Sequence, residues 1–374
     1  MIYLDYSAHT PPDSRVLKAY CDACEAYIGN PNSLHVLGEQ AKEKMAETTE
    51  AIAGLLGGKP SEIIYTSGAS ESNNLALKGI ARARRNSGKH IISTFLEHSS
   101  VSGTLTALQE MGYEIDLVGV NSDGRVDLQQ LRELLRKDTI LVSICAVDSE
   151  LGVIQPVKEA ADMVHAFNPD CIFHTDATQA IGKIPFIIEG FDCVSFAPHK
   201  FYGLNSSGIL WKREGIVLEP LIHGGTSTTI YRSGTPDLPM AVSGLYALKL
   251  AQEQLEERRA YVKGLNGILR EELENYLLVK INSTEQSVPH ILNLSVKGVK
   301  AEVFQQALSE MGVCVSTKSA CSVPGLPSRA VFAVTRDKKN ALCSWRISLS
   351  HLTTEEELSE FLTIFDTCYK ELTK

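Results

Sequence analysis

The chain has 374 residues, 44% of them hydrophobic and 22% charged, with a formal net charge of −9. That composition belongs to a globular protein with a core of its own, long enough for two or three domains, or for one large and one small. The acidic balance gives no footprint for nucleic acid, and no apolar run reaches membrane-spanning length.

The N-terminal stretch MIYLDYSAHTPPDSRV carries acidic residues and no positive region ahead of an apolar one, so no signal peptide is expected. Nine cysteines, an odd count scattered along the chain, read as reduced thiols and make the cytoplasm the default expectation. Residues 2–6 form a short extended segment, and a helix is expected over residues 14–27. Its Cys21-Asp22-Ala23-Cys24 pair has no second pair to complete a metal site, so it is read as core or partly buried thiols. The breaker-rich turn GNPNSLH (29–35) leads to a charged helix ending near Gly57-Gly58.

Strand 62–66 is followed by Ser67-Gly68-Ala69-Ser70 and a helix from Leu75. Small residues between a strand and a helix N-terminus can make a phosphate cradle, although by themselves these residues favour a plain capping turn. Strand 90–94 precedes Glu97-His98, where a histidine can stack on a ring or simply hold a hydrogen bond. Strands 114–120 and 139–144 follow, the latter leading to Asp148-Ser149-Glu150, and Pro156 marks a helix start. Strand and helix alternate from about residue 60 to 212, which predicts an α/β fold with a mostly parallel sheet between helices.

Within that pattern, residues 171–202 hold two apolar runs with chemistry at their ends. Cys171–Thr175 leads to Asp176, and Cys193–Phe196 leads to Ala197-Pro198-His199-Lys200. A carboxylate and a lysine just past neighbouring strands suit pyridoxal phosphate, although two core strands with a surface lysine fit the same residues. A polar loop spans residues 223–235. One long helix is expected over residues 240–278, then strand 291–296, helix 301–311, strand 313–316, a loop at 317–328 and strand 344–349. Thr353 with Glu356 is expected to box the last helix, whose buried face carries Leu358, Phe361, Leu362 and Phe365.

Several separated segments agree with one family. YLDYSAHTP (3–11), GNPNSLH (29–35), IIYTSGASESNNLALKG (63–79), EHSSV (97–101), LGVIQP (151–156), HTDATQAIGK (174–183), HKFYG (199–203), RSGT (232–235), SACS (319–322) and RISLSHLTTEEE (346–357) occur in order. The chain resembles the NifS/IscS-like cysteine desulfurases, class V enzymes of the fold-type I pyridoxal-phosphate group. The resemblance implies a large cofactor-binding domain over residues 16–255 and a smaller α+β domain over 256–374 that carries the nucleophile loop. Residues 1–15 would pack with the small domain.

It also implies roles, residue by residue. Lys200 matches the Schiff-base lysine, Asp176 the partner of the pyridine nitrogen, Gln179 the ligand of the ring's 3-oxygen and His98 the ring-stacking residue of the catalytic set. Ser70 and His199 match phosphate ligands, and Thr235 a phosphate ligand reaching the partner subunit's site in a homodimer. Arg346 would clamp the substrate carboxylate, and Ser149 stands where a substrate-contacting asparagine is usual. Cys321 matches the nucleophile that accepts sulfur from L-cysteine as a persulfide. From there sulfur would pass to an acceptor protein or small thiol, for iron–sulfur clusters or tRNA thiolation; no metal site is implied.

The chain departs from the family at Asp148-Ser149, at Ala197, at Thr226–Thr229 and at Leu204-Asn205-Ser206. Each changes a polar group worth about 1 kcal/mol if buried. These departures keep two alternatives in view: a class V enzyme for another amino acid, such as a selenocysteine lyase or an aminotransferase, and a degenerate scaffold protein. Retention of Lys200, Asp176 and Cys321 opposes the scaffold.

Overall fold

The computed structural model describes residues 1–318 and 325–374. The chain opens with a two-residue strand, β1 (Ile2–Tyr3). It then builds a seven-stranded sheet from β2 (Ile63–Thr66), β3 (His90–Thr94), β4 (Glu114–Val118), β5 (Thr139–Ser143), β6 (Ile172–Asp176), β7 (Cys193–Phe196) and β8 (Gly208–Lys212). Their order is β2-β8-β7-β6-β5-β3-β4, and only β8 runs against the others. Side chains of successive strand residues enter opposite cores. Ile92, Val142, Phe173 and Val194 lie in one, and Ile91, Leu141, Ile172 and Cys193 in the other. With both faces covered, the strands read as continuous apolar runs.

A further core joins Ile2 and Leu4 to Phe304, Trp345, Phe361 and Phe365. It covers a three-stranded antiparallel sheet of β9 (Val279–Ile281), β10 (Ile291–Val296) and β12 (Ser344–Ser348). Strand β11 (Val313–Cys314) pairs in parallel with β1, which ties the N-terminus to this unit.

Several expectations need correction: the helix after β2 starts at Ala69 rather than at Leu75, and Cys21 and Cys24 are exposed rather than core or partly buried. The long helix is two, Leu238–Glu253 and Leu255–Leu273, broken at Gln254. The first packs Leu248 and Ala251 into the large core and the second packs Val262, Leu265 and Leu269 into the small one, so a straight helix cannot serve both. The capping box lies one residue later than expected, at Thr354 and Glu357, because Thr353 is buried and accepts the Ser350 N–H at 3.2 Å. Strand β4 stops at Val118 rather than at 120.

Candidate functional site

In an open parallel sheet the carboxyl ends of the strands border a crevice where connections diverge. Here β3 hands the chain outward to β4 while β5 returns on its other side, and the ends of β2, β3, β5, β6 and β7 open into one cavity of about 370 Å³. Ser70, His98, Ser149, Asp176, Gln179, His199, Lys200 and Arg346 all border it. Segments spread over nearly the whole chain are thus brought together.

Asp176 ends β6, only 6% exposed. Its carboxylate accepts the Asn73 amide at 2.7 Å and the Thr178 N–H at 2.9 Å, which hold it oriented. Beneath it His174 bridges the hydroxyls of Ser143 and Ser195, both at 2.9 Å, and burial pushes its imidazole down to about 4. That histidine is a neutral strut.

Lys200 ends the 3-10 turn Pro198–Lys200 that follows β7. Its Nζ donates to the carbonyls of Ser7 at 2.9 Å and Ala8 at 2.6 Å. Gln179 donates to the same Ser7 carbonyl at 2.9 Å, leaving its Oε1 buried without a partner. Thr10 stitches this N-terminal segment to the turn by accepting the Tyr202 N–H at 2.8 Å and donating to the His199 carbonyl at 2.9 Å.

His98 caps the helix Ser99–Glu110, its Nδ1 accepting the Ser100 N–H at 3.2 Å. The proton therefore sits on Nε2, and burial lowers the pKa, so the ring is neutral. His199 is pushed down to about 4, chiefly by burial and then by Lys200, and its Nδ1 has no partner.

The helix Ala69–Ala83 begins at Gly68 without a side-chain cap, so its first N–H groups are available to an anion. Strand β8 passes so close that a Cβ on Gly208 would stand 2.4 Å from the Gly68 carbonyl carbon. Glu71 is occupied by the Ser67 N–H at 2.7 Å and by Arg232 at 3.0 Å. Arg346 is almost fully buried, bonded to Asp5 at 2.9 Å and to the Ser149 carbonyl, with its Nε unpartnered.

Thr235 lies elsewhere, in a cavity of about 180 Å³ bordered by Ser67, Ser206, Arg232 and Asp237. Cys321 falls outside the described residues. Asp148 is a turn-builder, accepting N–H groups from Glu150 at 3.1 Å and Gly152 at 3.1 Å, and burial raises its pKa to about 7. The sequence assigned no role to Asn73, to Glu97, whose buried carboxyl is pushed up to about 8 by desolvation, or to Cys145 at the cavity wall. Asn73 sits inside the quoted SGASESNN segment, and that was its only signal.

These parts fit pyridoxal phosphate: a buried carboxylate for a ring nitrogen, an amine to bind the aldehyde carbon, an unpartnered Gln179 oxygen, and an uncapped helix start for phosphate. The comparisons agree. Residues 2–361 match the family described as aminotransferase class-V. The chain is 36% identical to cysteine desulfurase IscS of Dictyoglomus turgidum, covering 99% of this chain and 95% of that protein. A solved NifS-like protein, 36% identical, superposes with a TM-score of 0.92 over 100% of this chain and 99% of its own. SspA, solved in complex with cysteine, is 30% identical with a TM-score of 0.81, covering 95% and 100%.

Proposed function

The chain belongs to the aminotransferase class-V family, among its cysteine desulfurases, and from that premise we infer that it is a pyridoxal-phosphate-dependent enzyme that takes sulfur from L-cysteine and releases L-alanine. The observation that carries this reading is a single cavity shared by Asp176, Lys200, the uncapped helix start at Gly68 and Arg346.

Pyridoxal phosphate, when bound, supplies an electron sink for the pair left at Cα of the amino acid. Asp176 would hold the ring nitrogen, Gln179 the 3-oxygen, and His98 would lie against the ring. Ser70, His199 and the first N–H groups of the Gly68-capped helix would hold phosphate. Lys200 would attach the cofactor and then remove the Cα proton, its amine steadied by the Ser7 and Ala8 carbonyls. Arg346 offers its unpartnered Nε to the substrate carboxylate, beside Ser149. The Cys321 thiolate would attack the substrate sulfur. The S–S bond forms as the Cβ–S bond breaks, and its electron pair leaves with the carbon skeleton that becomes alanine.

We further propose a homodimer in which Thr235 completes the partner's phosphate site; Thr235 borders a second cavity, which meets the first at Ser67. Leu34, Ile28 and Ile230, exposed at 94%, 78% and 66%, supply apolar surface for such an interface. An acceptor protein or small thiol would take the persulfide, for iron–sulfur cluster assembly or tRNA thiolation. The cytoplasm is the proposed compartment, because the eight described cysteines are all free thiols. Among the described residues no helix is long and apolar enough to cross a membrane.

Purified protein loaded with pyridoxal phosphate and given L-cysteine with a reductant should form alanine and sulfide in equal amounts. Cofactor binding without alanine would instead assign the chain to another amino acid. The phosphate cradle has its own test. Gly208→Ala should weaken cofactor binding about tenfold or more, because the added methyl collides with backbone that cannot rotate away. Unchanged affinity in a titration of apoprotein would rule out the cradle.

A further inference from the structure

We propose that the small cavity behind Lys200 is a binding site for one small monovalent anion of halide size. Lys200 borders both this cavity and the main one. At about 10 Å³ it admits a single water-sized guest. Its charged lining has one sign: Lys183, Arg258 and Lys200 border it together with His290, His351 and the hydroxyls of Tyr6, Thr10 and Tyr202, and no carboxylate does.

The amine of Lys183 is only 6% exposed and donates to the Lys200 carbonyl at 3.3 Å. Burial chiefly, and then the positive charges of Lys200 and Arg346, pull it down to about 7. His290, also 6% exposed, has a buried Nδ1 with no partner, and the charges acting on it come from Lys183, His351 and Arg259. Arg258 lies over the Tyr202 ring at 4.8 Å, and the carboxylates that act on it, Asp13 at 4.0 Å and Glu257, do not border the cavity.

A guest here meets donors and positive potential. Water must donate two hydrogens of its own, whereas a halide only accepts, so it answers the ammonium of Lys183 and the Nδ1–H tautomer of His290 together. An anion in this place also supplies the counter-charge that a buried ammonium otherwise lacks. The site stands independently of the proposed reaction.

Crystals of the holoenzyme soaked in sodium bromide decide the matter by anomalous scattering. A bromide peak between Lys183 and His290 is expected, and it should disappear in Lys183→Met. A cavity that shows water, or no anomalous signal, at saturating bromide overturns the proposal. In solution the thermal midpoint of the wild type should rise with chloride relative to gluconate at equal ionic strength, and that of K183M should not. Equal responses of the two proteins would also overturn it, and this comparison needs no crystals of the variant.

Discussion

Lys200→Ala is expected to lower alanine formation from L-cysteine by at least about 10³-fold, with the cofactor's bound absorbance band lost. The reason is positional. Lys200 follows the buried strand β7 in a tight 3-10 turn, and backbone carbonyls of Ser7 and Ala8 aim its amine into the main cavity. The other buried lysine nearby, Lys183, is held behind it against the Lys200 carbonyl and borders the smaller cavity. Although burial leaves Lys183 with a pKa of about 7, and hence a reactive amine at neutral pH, it has no place beside the substrate. Substantial alanine formation by K200A would show that another amine does the work. Steady-state rates and absorbance spectra of the two proteins make the measurement.

The second large effect belongs to Cys321→Ala, which should cut alanine and sulfide formation about 10³-fold while leaving cofactor affinity unchanged. Another thiol has to be weighed, because Cys145 borders the main cavity itself. Burial raises the Cys145 thiol well above its ordinary pKa, and the charges of Glu97, Asp148 and Asp176 push it the same way. A thiol is a nucleophile only as thiolate, so Cys145 stays inert at neutral pH. Cys145→Ser should therefore keep most of the activity that C321A loses. The reverse pattern, with loss in C145S and retention in C321A, would move the nucleophile into the cavity wall.

The departures from the family pattern look milder against the structure. Asp148 spends its carboxylate on the N–H groups of its own turn, so its work is to shape the chain around Ser149. Ala197 is fully buried at the start of the turn that carries Lys200, where a missing hydroxyl leaves the backbone path intact. Neither change alters Asp176, Lys200 or Arg346, so the groups proposed to hold the cofactor and the substrate carboxylate are kept.

By itself the sequence placed the alternating strands and helices and marked Asp176, Lys200, His98 and the segment 67–70 as candidates beside strand ends. Those features are local. A strand covered on both faces must be apolar throughout, so the point where polarity returns marks the edge of the sheet. Only the tertiary structure decided that the carbonyls of Ser7 and Ala8 hold the Lys200 amine, and that Asn73 holds Asp176. A carbonyl has no side-chain signature, and these contacts join residues far apart in sequence. The break at Gln254 and the placing of Lys183 behind Lys200 belong to the same class. Each follows from how two cores and the N-terminal segment pack around the site, which no local pattern encodes.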